Sequence, residues 1–405
     1  MNLVLRNARL LDPLSGEYTE GDLRCDSGRI VETGPGLSAP GVRSIDVRGA
    51  VVLPGLVDAH VHVTASTADL GSLPSTSPSY VAAHSARTMS RMLDRGFTTV
   101  RDASGADYGL ADAQSEGLFR GPRLLFCGRA LSQTGGHGDS RTRGANAKDD
   151  HPCCAGLGRV ADGVDAVRAA ARDELRKGAH HIKVMASGGV ASPTDRIDST
   201  QYSADELSAI VEEASAANRY VAAHAYTARA VNRALELGVR SIEHGNLLDD
   251  RSVSLFLSQD AYLVPTLVTY WALKEEGREH GLPESSWRKV DDVLGAGLAA
   301  LERAARGGVK IVYGTDLLGG MHRHQNHEFR LRGEVQTPLE VIRSATSTAA
   351  NLVNLTGEIG TLAVGAHADL LVVAGDPLED VGVLAEPGNF SYIVQGGEVV
   401  GGTTA

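Results

Sequence analysis

Two histidines one residue apart, in VDAHVHV, are the first residues of this chain that could do chemistry. At the two-residue period of a strand His60 and His62 point the same way, and neighbouring imidazoles can grip one metal ion. Alone, an H-x-H pair is a weak signal. Four further residues sharpen it. Lys183 stands in the apolar run HIKVMASGG, His224 in VAAHAYT, His244 in RSIEHGN, and Asp316 follows Gly314 in IVYGTDLL. A buried ammonium gives up several kcal/mol of hydration, roughly, unless something pairs or neutralises it. Lys183 therefore either reaches solvent along its stem or is modified or paired with a metal. Each histidine taken singly reads as a core residue. Five ligand-type residues and one lysine at the ends of five strand-like runs do not.

Such residues need a scaffold that brings many strand ends to one side. Strand-like runs occur at 56–63, 98–103, 124–130, 181–187, 220–226, 241–246, 261–269 and 310–317. Helical segments such as ADGVDAVRAAARDELRKGA and SADELSAIVEEASAANR lie between them. In the second, Leu207, Ile210, Val211 and Ala214 recur at helical spacing, with Ser203 and Glu206 placed as a capping box. The alternation predicts an α/β chain with a (β/α)₈ TIM barrel over 56–358, a fold whose active sites lie at the C-terminal strand ends. The candidate residues fall at the ends of runs one, four, five, six and eight. Residues 1–55 and 359–405 share a texture of short strands and turns, and predict one small, discontinuous β-sandwich domain.

Composition narrows the function. With 405 residues the chain can bury a large core plus a satellite domain, and 42% hydrophobic against 22% charged residues is an ordinary globular balance. A formal charge of −11, with no basic stripe, argues against nucleic acid as a partner. No apolar run is long enough to span a membrane. The start, MNLVLRNARLLDPLSG, is interrupted by Arg6, Arg9 and Asp12, so it lacks the apolar core of a signal peptide, and a cytoplasmic address is expected. Cys25, Cys127, Cys153 and Cys154 are spaced for neither a disulfide framework nor a zinc knuckle, and the adjacent pair is expected to be reduced and structural.

A linked series of motifs runs through nearly the whole chain: PGLVDAHVHV, GFTTVRDASG, LSQTGGHGD, IKVMASGGVASPTD, VAAHAYT, SIEHGN, GTD, ATSTAANLVNL and GTLAVGAHADLLVV. It resembles the amidohydrolase superfamily, in its imidazolonepropionase-like subgroup. That subgroup includes dipeptidases of the Xaa-Pro and Xaa-Arg type and ochratoxin-hydrolysing amidases. The resemblance implies two divalent metal ions, with zinc the expected kind. His60, His62 and Asp316 would hold the more buried ion and His224 and His244 the other. Lys183 would bridge them as a carbamate formed with carbon dioxide, and burial favours the neutral amine that reaction needs. A hydroxide between the metals would be the nucleophile, one metal would polarise the scissile carbonyl, and Asp316 would pass the proton to the leaving amine. The same resemblance implies a small-molecule substrate and a homo-oligomer, with an octamer the expected form.

His137, in TGGHGD after the third run, and Tyr226, two residues beyond His224, are expected substrate contacts, with His137 the second candidate catalytic group. Both are donors that could hold a carboxylate or polarise the carbonyl. A recessed centre of net positive charge favours an anionic substrate. The expected reaction is therefore dipeptidase- or carboxypeptidase-like cleavage of a dipeptide or N-acyl amino acid with a free carboxylate. Cyclic-amide, lactone and carbamate hydrolysis are the alternatives within the superfamily, since one nucleophile attacks many carbonyls. Deaminases of this group generally lack the bridging lysine, and inactive binding relatives typically lose metal ligands.

Other polar residues read as structural. Arg196, in the mouth loop GGVASPTDRID, is expected to be solvated, and His322, His324 and His327 in MHRHQNHEF to serve a lid or a subunit contact. His181 is expected to be a hydrogen-bonded core residue, His180 to face the helices, and Asp102 to support a histidine ligand.

Overall fold

The computed structural model describes residues 2–145, 155–192 and 194–404. Cys153 and Cys154 lie outside the described residues, while Cys25 and Cys127 are buried free thiols. The chain forms an α/β fold. Its two ends meet in one eight-stranded sheet, built from Leu3–Leu11, Tyr18–Asp26, Arg29–Gly34, Arg43–Asp46 and Val51–Pro54 with Leu370–Val373, Phe390–Gln395 and Glu398–Gly401. Val51–Pro54 pairs antiparallel with Leu370–Val373 and so ties the termini together. Strand alternation explains why this sheet is apolar on both faces. Leu370, Val372, Val52 and Val394 pack into one cluster with Leu3, Leu5 and Ile30. Their neighbours Leu371, Val373, Leu53 and Ile393 face the other way, onto Met89, Phe97 and Phe390.

Between these ends the strands are parallel. Leu56–Val61, Phe97–Asp102 and Arg123–Leu125 form one sheet. Seven more form another, in the order Gly158–Val160, Ala130–Ser132, Ile182–Met185, Val221–Thr227, Ser241–Leu247, Tyr262–Val264 and Lys310–Ile311. Backbone bonds link the two sheets on both sides. His180 N–H donates to the Phe126 carbonyl at 2.8 Å, and Ala59 N–H to that of Tyr313 at 2.9 Å. Gly314 permits the second approach: a Cβ there would stand 2.9 Å from the His60 Cβ and 2.3 Å from Val264.

The intervening helices bury one face each. Ala204–Ala216 starts on the expected capping box of Ser203 and Glu206 and buries Leu207, Ile210 and Ala214, with Val211 half-buried. Several strand-like runs are shorter than their sequence suggests, three of them markedly. The run at 124–130 splits at Gly128, whose φ of 74° ends the strand before Ala130–Ser132 begins. The run at 261–269 stops at Val264, since Pro265 cannot donate to a ladder, and Leu267 opens a helix. The eighth run is a strand only at Lys310–Ile311, and the chain then bends through Gly314 to Asp316. Among the described residues no helix is long and apolar enough to cross a membrane.

Candidate metal centre

The first parallel strand, Leu56–Val61, carries His60 near its end, and His62 follows at once. Both imidazoles reach Asp316: His60 Nε2 lies 3.4 Å and His62 Nε2 3.0 Å from its Oδ1. One donor atom from each of the three falls within 4.8 Å of the others. His244 and Asp316 adopt φ of 77° and 53°, a left-handed backbone that breaks strand alternation and turns both side chains toward the same point. Asp316 is pinned by its own backbone, its N–H donating to the His60 carbonyl at 2.8 Å and its carbonyl accepting from the Thr269 hydroxyl at 2.8 Å.

The second pair of histidines stands against the first. Ring centroids are 5.1 Å apart for His60 and His244 and 4.7 Å for His224 and His244. Each of the four imidazoles has one nitrogen engaged by a group other than Asp316, and His60 and His62 turn their second nitrogen to Asp316. His60 Nδ1 is 2.6 Å from Glu243, His62 Nδ1 is 3.1 Å from the Ser104 carbonyl, and His244 Nδ1 is 2.8 Å from the Thr266 hydroxyl. His224 is turned the other way, with Nε2 3.1 Å from the Gly188 carbonyl. Fixing one nitrogen sets the tautomer and aims the other, the usual arrangement around a metal-ligating histidine.

Lys183 sits among these rings, 2% exposed, and its side-chain amine makes no hydrogen bond or ion pair with a described residue. It does not snorkel to solvent. Burial lowers its pKa, although Glu243 and Asp316 pull the other way, and a neutral amine is the form that can add carbon dioxide. Burial would also raise the carboxyl of Asp316, but the charge and hydrogen bonds of His60 and His62 outweigh it and hold the group well below its ordinary range. The donor set of imidazoles, a carboxylate and a buried uncompensated amine therefore fits divalent metal ions.

These groups line a cleft of about 320 Å³. His137 stacks on His224 at 4.2 Å between centroids, and Tyr226 meets the His224 and His244 rings at 4.8 and 5.2 Å. The Tyr226 oxygen accepts from the Tyr270 hydroxyl at 3.2 Å, which leaves its own proton for the cleft. Burial raises the pKa of Tyr226, so it remains a donor. All eight residues expected at the site thus lie on one cleft. Its other walls mix the apolar Leu70, Leu157, Val190, Leu273 and Leu318 with polar residues such as Asp69, Ser140 and Ser192.

The buried groups that hold the candidate residues were not legible in the sequence. Arg101 and Glu243, both 0% exposed, pair at 2.8 Å directly behind His60. Glu243 immediately precedes His244, and its two-residue spacing from Ser241, whose hydroxyl it accepts, was the available signal. Asp58 accepts from His60 N–H at 3.1 Å and from the Thr315 hydroxyl at 2.6 Å, and burial pushes it up to about 6.

Two expectations need correction. Asp102 bonds backbone rather than an imidazole, accepting from Val63 N–H at 2.8 Å and Ala106 N–H at 3.1 Å. The carboxylate that meets one of the candidate histidines is Glu243, 2.6 Å from His60 Nδ1. His181 is buried, but neither ring nitrogen has a hydrogen-bond partner among the described residues, and it stacks on Tyr220 instead. The three loop histidines have different surroundings: His322 is buried, His324 pairs with Glu276 at 2.9 Å and His327 packs on Trp271. Arg196 stays in solvent, paired with Asp198. His180 takes a bond from Phe126 N–H at 3.2 Å.

A model of the amidohydrolase family matches residues 51–400, and the chain belongs to that family. It is 34% identical over 368 residues to ochratoxinase of Aspergillus niger, spanning 88% of this chain and 76% of that protein. Among solved structures it is similar to a prolidase complexed with N-methylphosphonate-L-proline, at 50% identity and a TM-score of 0.96, covering 98% of this chain and 99% of the other. It is also similar to a Xaa-Pro dipeptidase with bound methionine in the active site, at 28% identity and a TM-score of 0.87, covering 98% and 99%.

Proposed function

We propose that this protein is a metal-dependent hydrolase of amide or peptide bonds, acting on dipeptides or N-acyl amino acids with a free carboxylate. One observation carries the reading: four imidazoles, each with one nitrogen engaged by the protein, surround Asp316 and an unpaired buried lysine. The similarity to a prolidase, a Xaa-Pro dipeptidase and an ochratoxinase supports the amide bond as the target. The parallel strands, linked by backbone bonds on both sides, support an eight-stranded barrel over 56–358. The terminal sheet supports a separate β-domain of 1–55 and 359–405.

His60, His62 and Asp316 would hold one divalent ion and His224 and His244 a second, with zinc the expected kind. When bound, such ions acidify water and polarise a carbonyl. The neutral Lys183 amine would add carbon dioxide, forming an N–C bond and releasing a proton, and the carbamate would offer both its oxygens to the centre. Asp316 takes a proton from the attacking water and returns it to the leaving nitrogen. Tyr226 donates its hydroxyl to the substrate carboxylate or the scissile carbonyl, and His137 contacts the substrate across the cleft. The apolar wall residues keep water from the reacting bond and suit a small molecule.

Each substrate cleaved is to be compared with its C-terminal amide. Loss of the anion should lower kcat/KM by roughly 10–100-fold, the scale of a charge-assisted hydrogen bond of about 1.5–3 kcal/mol. Equal rates on acid and amide would remove the carboxylate from the reading and leave hydrolysis standing.

A further inference from the structure

Resting on that reading, we infer that Ser192, Asp195 and Lys289 are positioning residues that set the orientation of His137 and thereby its contact with the substrate. The His137 Nδ1 atom is 2.8 Å from the Ser192 hydroxyl oxygen. That oxygen also lies against the Asp195 carboxylate and 3.2 Å from the Gly189 carbonyl. A hydroxyl has a single proton, and neither a carboxylate nor a carbonyl can supply another. The serine proton therefore goes to Asp195 or Gly189, and the serine oxygen accepts from His137 Nδ1–H. This fixes one tautomer and leaves Nε2 for the cleft that His137 lines.

The rest of the loop grips the same residue. Asp195, its side chain 3% exposed, accepts from Gln201 Nε2 at 2.8 Å, and Gln201 Oε1 accepts from the His137 backbone N–H at 2.8 Å. Ring and main chain of His137 thus hang from one connected group. Lys289, about a hundred residues further along, clamps the loop: its Nζ donates to the carbonyls of Gly189, Ser192 and Asp195 at 3.1, 3.0 and 2.9 Å. The imidazole is also held by packing. His224 stacks on it at an interplanar angle of 22°, and the Gly189 backbone lies so close that a Cβ there would stand 2.2 Å from Cε1. An isolated loop histidine would rotate freely, whereas this one is restrained by its Nδ1 bond and by two close neighbours.

A double-mutant cycle tests the claim that the loop acts through His137. Ser192→Ala, Lys289→Met and His137→Ala, singly and in pairs with His137→Ala, are to be assayed on one cleaved N-acyl amino acid, with metal content and Tm measured alongside. Ser192→Ala should raise KM by roughly tenfold at unchanged metal content and Tm, and should cost nothing further once His137 is alanine. Lys289→Met should follow the same pattern, and Ser192→Thr, which keeps the hydroxyl, should stay near the parent. Equal losses with and without His137, or a parental KM in Ser192→Ala, would overturn the inference. Absence of hydrolysis by the metal-loaded parent protein would instead defeat the hydrolase reading, so the two failures are distinguishable.

Discussion

Replacing Glu243 by glutamine withdraws one buried negative charge from three partners. Arg101 Nη2 lies 2.8 and 2.9 Å from its two oxygens, His60 Nδ1 lies at 2.6 Å, and the Ser241 hydroxyl donates to it at 2.5 Å. Burial alone would raise the Glu243 carboxyl, but the charge of Arg101 and the bond from His60 hold it well below its ordinary range. A carboxylate depressed in this way stabilises the fold above its unfolded-chain pKa, and the contribution is lost only as pH falls through the folded value. At neutral pH all of it is present. Glutamine leaves Arg101 buried without a counter-charge, at a cost of about 3–5 kcal/mol. Taking about 2.1 cal/mol/K per residue for the entropy of unfolding, a chain of 405 residues should lose about 4–6 °C in Tm. His60 also loses its charged acceptor, which should weaken metal binding by roughly 10–100-fold. Calorimetry of metal-stripped protein reads the first effect, and a chelator-buffered zinc titration reads the second. The pair Arg101→Met with Glu243→Gln removes both charges and should recover much of the lost Tm. An unchanged Tm and an unchanged zinc affinity in Glu243→Gln would refute the role given to this pair.

Asp316→Asn should keep the fold while kcat falls by a factor on the order of 10²–10⁴, the scale of general acid–base work, and an unchanged kcat would move the proton shuttle to another residue. Lys183→Ala should lose bound metal and activity together, with partial rescue by a short-chain carboxylate; full activity without rescue would end the carbamate proposal. Glu328 gives a pH test. Burial pushes its carboxyl from 4.5 up to about 8, against the opposing charge of Arg332. Between those values the folded protein keeps a proton that the unfolded chain has lost, so stability declines as pH rises through the window. Glu328→Gln should flatten Tm against pH there, and parallel curves for the two proteins would contradict the assignment.

Residues that announce themselves by strand-end position were readable in the sequence. His60, His62, Lys183, His224, His244 and Asp316 stand at the ends of apolar runs, and the structure brings all six to one cleft. The capping box at Ser203 and Glu206 was readable because it is local, a matter of four consecutive residues. What supports the ligands was not. Glu243 and Arg101 meet across 142 positions of chain, and no local pattern says which buried carboxylate faces which imidazole. Asp102 had an equal claim to that role from its strand-end position, and only the turn that follows His62 turns it to backbone donors. Strand lengths failed for a related reason. Pro265 and Gly314 stop pairing while the apolar composition runs on, so periodicity overextends both strands. The grip of Ser192, Asp195 and Lys289 on His137 joins three separate parts of the chain and leaves no linear trace.

Amide hydrolysis by this protein should depend on divalent metal held at the His60–Asp316 centre. Metal-stripped protein titrated with zinc in bicarbonate buffer, with bound metal and hydrolysis of an N-acyl amino acid read on the same samples, tests it most directly. Activity should be absent at the start, rise with bound zinc and level off at about two ions per chain. Hydrolysis at full rate in protein shown to carry no metal would contradict the account.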